Sequence, residues 1–141
     1  MSLSATNILA GPCRRWYSLS QANRSLVLIR RIVQDIVREH ARVVELQELV
    51  ELTDTRSSAR ARAGTDLRET IQRLGAHLQE LDELGVLLID YAAGAVEFPC
   101  QEAGREVFLS WQAGQERISA WHEVDGEHQP IETLTELCAN A

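Results

Sequence analysis

Apolar residues recur at steps of four and three through Ala22, Leu26, Ile29, Val33, Ile36, Val43 and Val50. His40 and Gln47 fill the two remaining places of the series. That spacing puts one apolar face on a helix. Ile32, Val37, Val44, Leu46, Leu49 and Leu52 widen the stripe. Ser18-Leu19-Ser20-Gln21 has the form of a capping box, in which a Ser hydroxyl and a Gln amide satisfy orphan backbone donors reciprocally. Helix one is therefore predicted over residues 18–53, about 35 residues and roughly 50 Å long. Neither Pro nor Gly interrupts it. Such a length suggests a coiled-coil-like hairpin or a bundle.

Residues 53–65, TDTRSSARARAGT, read as a turn. Beyond them Leu67, Ile71, Leu74, Leu78 and Leu81 repeat the four-three spacing, and Gly85 suits a left-handed helix cap. Counted from Asp66, this helix is about 19 residues and roughly 28 Å, too short to cover the first. Either it begins in the Ala/Arg stretch, giving residues 58–84, or another subunit covers the far end of helix one. Two helices make a thin core, so a homodimer through the helices is expected.

The helical period is lost after Gly85. Val86–Tyr91 is apolar enough for a strand, and Ala95–Phe98 is a short one stopped by Pro99. Arg105–Trp111 and Arg117–Val124 follow, separated by Gly-containing turns. Alternation gives Val107, Leu109 and Trp111 one face. In the last strand it gives Ile118, Ala120, His122 and Val124 one face, and Ser119, Trp121 and Glu123 the other. Residues 1–16, with Gly11-Pro12, read as a lead-in, and residues 130–138 could add a short terminal helix. The predicted fold is α+β, one domain over residues 1–141. A long antiparallel helical hairpin precedes a four-stranded antiparallel β-meander over residues 86–124.

Composition narrows the function classes. The chain has 141 residues, 45% hydrophobic and 25% charged, which is ordinary globular usage. No apolar run reaches the roughly 18 residues of a membrane span. All 14 basic residues are Arg, so lysine chemistry of every kind is excluded. The net charge of −7 is uneven. Twelve Arg lie in residues 1–75 against 8 acids, and two lie in residues 76–141 against 13. Intramolecular or dimeric pairing of the two halves explains this as simply as a binding face does. Interspersed acids and the absence of interleaved aromatics count against nucleic acid. Cys13, Cys100 and Cys138 are odd in number and lack CxxC spacing. Free thiols in a cytoplasmic setting are the expectation, since the N-terminal segment lacks a secretory pattern.

The residues with most chemistry are Asp90, Glu97, Arg105, Trp111, Trp121, His122 and Glu123, all on the predicted meander. Glu97, His122 and Glu123, with Asp90, could offer oxygen and imidazole ligands to a divalent metal. Glu127 and His128 add further ligands nearby, but the spacing is not that of an HExxH helix: the second His lies six residues on, past an Asp-Gly turn. A regular strand also sends His122 and Glu123 to opposite faces. The alternative is structural: Arg105 pairs a carboxylate, the two Trp are core, and His122 hydrogen-bonds at the sheet. Asn23 and Arg24, early in helix one, either face an anion at the helix N-terminus or tie helix to sheet. His40 falls on the seam and reads as an interface residue.

Several segments together resemble a known family. They are Trp16-Tyr17-Ser18-Leu19-Ser20-Gln21-Ala22-Asn23-Arg24, Glu83-Leu84-Gly85-Val86, Gly94-Ala95-Val96-Glu97-Phe98-Pro99, Gly104-Arg105-Glu106-Val107-Phe108-Leu109-Ser110-Trp111 and Trp121-His122-Glu123. In this order they are similar to the prokaryotic domain-of-unknown-function family 2203, over about Trp16 to Pro130. The chain departs from the family pattern at Gln21 for Glu, Val27 for Pro, Leu87 for Glu and Ile89 for Lys. It departs again at Glu97 for Asp, Ser110 for Cys and Gln115 for Glu. The resemblance implies no reaction, substrate or cofactor.

Two functions follow as expectations. The first is a non-enzymatic interaction or scaffold protein acting through a helical, dimeric surface. The second is a protein or enzyme that binds a divalent metal or small ligand through meander carboxylates and His122.

Overall fold

A computed structural model describes residues 15–134. Most of the lead-in, Cys13, Cys138 and the end of the 130–138 segment lie outside them. Helix α1 spans Leu19–Leu52 and helix α2 spans Ser58–Glu83. The five strands are β1 (Leu87–Asp90), β2 (Ala95–Glu102), β3 (Arg105–Gln112), β4 (Ala120–Glu123) and β5 (Gln129–Pro130). They form one antiparallel sheet in sequential order. Residues 131–134 are helical.

The caps follow the local chemistry. Ser18 Oγ accepts from the Gln21 amide at 3.1 Å, and the Ser18 amide donates to Gln21 Oε1 at 3.0 Å. An amide oxygen serves this box as well as a carboxylate, which accounts for Gln21. Ser57 caps α2 by accepting from the Ala59 and Arg60 amides. Helix two therefore starts in the Ala/Arg stretch. α2 ends in a Schellman motif: Val86 N–H reaches Leu81 O, Gly85 N–H reaches Asp82 O, and Gly85 sits at φ 76°.

α1 buries Ala22, Leu26, Ile29, Val33 and Ile36 against one face of the sheet, where Val96, Phe98, Val107, Leu109, Trp111 and Trp121 converge. Leu81 and Val86 close the core from the end of α2. Farther along the hairpin Val43, Leu46 and Ala63 are buried but stand outside this cluster. The hairpin thus projects past the sheet, with Glu39 and Arg73 pairing between its two helices at 3.2 Å.

Three strand expectations need correction. β2 runs through Pro99 to Glu102 rather than stopping at Phe98. The Pro99 carbonyl accepts the Tyr17 amide at 2.7 Å, so Pro99 turns its backbone polar edge away from β3, beyond the end of β1. No ladder donor is lost there. The last long strand begins at Ala120, not Arg117. Ile118 precedes it and is buried in the core, so the alternation predicted from 118 to 124 breaks before Ala120. The four-stranded meander also gains a fifth strand, β5, two residues long and invisible to hydrophobic patterning.

Candidate metal centre

Strand register decides which predicted residues meet. Glu97 pairs with Ser110, Ser110 with Ala120, and Phe108 with His122. Cross-strand partners share a face, so Glu97, Ser110 and His122 stand on the outer face, opposite the core. His122 Nε2 lies 2.5 Å from Glu97 Oε2. Its Nδ1 lies 2.7 Å from the Glu123 carbonyl oxygen, which can only accept. Nδ1 therefore donates, and the contact of Nε2 with Glu97 Oε2 is a hydrogen bond whose proton a metal ion would displace. A carbonyl on the far ring nitrogen is the arrangement that orients an imidazole for ligation.

A third residue joins them. The β4–β5 ladder pairs Trp121 with Gln129 and Ala120 with Pro130. Continued by one step, that register sets His128 opposite His122. Their ring centroids are 4.7 Å apart, and His128 Nε2 is 3.9 Å from Glu97 Oε2. The turn at Asp125-Gly126 folds the chain back so that a spacing of six becomes a cross-strand contact. One ligand atom from each of Glu97, His122 and His128 lies within 4.8 Å of the others. Phe108 stacks on the other side of His122, at 5.4 Å between centroids. Glu97 and His122 side chains are largely buried, while His128 is 62% exposed.

Two imidazole nitrogens and one carboxylate oxygen suit zinc and neighbouring transition metals better than calcium or magnesium. Around a metal with bonds of about 2.0 Å, Nε2 and Oε2 would separate to roughly 3.3 Å at adjacent tetrahedral corners. The exposed His128 has room to close on the ion.

The remaining sequence candidates are not in this cluster. Glu123 lies on the core-side face at the far end of the sheet, where it pairs with Arg105. Asp90 Oδ1 accepts from the Ala92 and Ala93 amides and organises the β1–β2 turn. Trp111 and Trp121 are core, with indole N–H groups donating to Gln115 O and Thr133 Oγ1. Asn23 Oδ1 accepts the Ile118 amide at 2.8 Å, a tie from helix to sheet. Arg24 is exposed on α1, and His40 stacks on Tyr91 at 5.2 Å. The sequence offers His128 only as a further ligand nearby; the hairpin register is what brings it across from His122.

A cleft of about 390 Å³ adjoins the cluster, lined by Glu97, Ser110 and His128 among others. Ser110 Oγ is buried without a hydrogen-bond partner among the described residues. Two of the residues that depart from the family pattern make local backbone contacts. Gln21 caps α1, and Gln115 Oε1 accepts from the Gln112 amide and Ser119 Oγ. Ile89, Glu97, Ser110 and Gln115 itself line the cleft, and Leu87 is the cross-strand partner of Glu97.

No helix among the described residues is long and apolar enough to cross a membrane. No curated protein and no solved structure matches the chain. The family model described as "Uncharacterized conserved protein (DUF2203)" matches residues 15–129. With most of its length matched, the chain belongs to that family.

Proposed function

We propose that this protein binds a divalent transition metal through Glu97, His122 and His128. The observation that carries this reading is the locked imidazole of His122. Its Nδ1 is committed to the Glu123 carbonyl at 2.7 Å, which leaves Nε2 facing a carboxylate and a second histidine. Three ligands from two adjacent hairpins make a site that needs the sheet but not the projecting hairpin tip. Calorimetric titration with zinc or cobalt(II) tests it. One ion per chain is expected, with affinity reduced at least about tenfold by His122→Ala and by Glu97→Gln. A wild-type chain that takes up neither ion at micromolar concentration would refute the assignment.

A second reading rests on the hairpin tip. Beyond the sheet α1 leaves Val44, Leu49 and Leu52 exposed, and α2 leaves Ile71 exposed. These side chains favour a protein-interaction or scaffold role through the helices, in which two copies pair as a homodimer. Analytical ultracentrifugation of the wild type and of Leu49→Glu/Leu52→Glu decides it. A concentration-dependent dimer abolished by the charges supports the reading, and a monomer at all concentrations removes it.

A further inference from the structure

We propose that the metal centre takes a small carboxylate with an apolar tail as its external ligand, bound from the adjoining cleft with Ser110 as hydrogen-bond donor. This rests on the metal reading above. Three protein ligands leave a tetrahedral ion one position for an exogenous group. Glu97 and His128 belong both to the ligand set and to the cleft wall, so that position is approached from the cleft. A divalent ion with one carboxylate and two neutral imidazoles carries a net charge of about +1, which favours an anion.

Ser110 supplies the second contact. It stands between Glu97 and Ala120 in the cross-strand register, lines the cleft, and holds a buried hydroxyl with no partner among the described residues. Such a group is stabilised by an acceptor brought in with the ligand. A carboxylate can place one oxygen on the metal, and its other oxygen meets Ser110 Oγ once that side chain turns from the wall into the cleft. The rest of the cleft is largely apolar, with Ile89, Ala93, Ala95 and Ala120 on its walls. An aliphatic chain of a few carbons suits those walls; Gln112, Gln115 and Ser119 also border the cleft, where Gln115 Oε1 already accepts from the Gln112 amide and the Ser119 hydroxyl. Asp90 also borders the cleft, but its Oδ1 already accepts two turn amides.

The test uses the full chain loaded with cobalt(II), whose visible spectrum changes when an inner ligand is exchanged. Acetate and hexanoate are titrated separately. Both should perturb the spectrum, and hexanoate should bind at least about tenfold tighter, because part of its four extra methylenes is buried. Ser110→Ala should weaken both carboxylates about three- to tenfold and leave the cobalt affinity unchanged. Cobalt bound with a spectrum that neither carboxylate moves would overturn the ligand assignment alone. So would equal affinity for the two acids, or a Ser110→Ala chain that binds them as the wild type does. Failure to bind cobalt at all would overturn the metal reading and this one together.

Discussion

Asn23 Oδ1 accepts the backbone N–H of Ile118 at 2.8 Å, joining the first turns of α1 to the segment entering β4, 95 residues away. Ile118 is almost fully buried, so its amide has no easy access to solvent. Asn23→Ala should therefore destabilise the fold by about 1–3 kcal/mol, the usual result of orphaning a buried donor. Urea denaturation should show a lower midpoint at an unchanged slope. Metal affinity should not move, since Asn23 touches none of the three ligands.

Gly94 lies in the β1–β2 turn at φ +70°, and a Cβ there would come within 2.8 Å of Val33 Cγ1 and 3.0 Å of Val37 Cγ2. Gly94→Ala combines backbone strain with a clash against α1. The expected loss is about 2–4 kcal/mol by thermal or denaturant unfolding. A loss below about 0.5 kcal/mol would mean that the turn does not sit this close to α1.

Tyr17 connects three parts of the molecule. Its amide donates to Pro99 O, its hydroxyl donates to Leu84 O at 2.5 Å, and its ring meets Phe98 edge-on at 5.1 Å. Burial raises its pKa above the ordinary 10.0, although Arg15 opposes the shift. The unfolded chain therefore loses the phenolic proton first as pH climbs. The stabilisation is complete below pH 10.0 and is lost as pH rises through the elevated value. Tyr17→Phe should flatten that alkaline decline and lower stability at neutral pH by about 1 kcal/mol, the worth of the hydrogen bond to Leu84.

Glu97 and Glu123 separate a site role from a structural one. They stand on opposite faces of the same sheet, Glu97 beside His122 and Glu123 beside Arg105. Glu97→Ala should remove metal binding in a zinc titration. Glu123→Ala should keep it within about threefold, because His122 leans on the Glu123 backbone carbonyl and not on its carboxylate. If the two variants lost zinc equally, the ligand set would have to be redrawn around Glu123.

The helical half was legible because burial there follows a single period. The stripe from Ala22 to Ile36 is the stripe that meets the sheet. Ser18 and Gln21 form the expected capping box. The start of α2 was ambiguous because Ser58 to Gly64 carries no large apolar side chain to mark a face. Pro99 lacks a ladder donor and so reads as the end of β2, and the sequence does not show that the backbone polar edge there faces away from β3. Alternation correctly separated His122 from Trp121 and Glu123. It could not supply His128, an exposed residue in a polar stretch. That residue reaches the site only because two backbone pairings, Trp121 with Gln129 and Ala120 with Pro130, fix the register of a very short strand.

The hairpin between β4 and β5 makes the site sensitive to the length of its connection. His122 and His128 share a face because the register sets them directly opposite one another, with five residues between. Deleting one residue from 124–127 with the turn intact would shift the pairing by one and present Gln129 beside His122 in place of His128. An insertion of one would bring Glu127 there instead, turning a two-imidazole pocket into one richer in oxygen donors. The same five-residue connection could thus change which ions the sheet accepts without a single side chain being replaced.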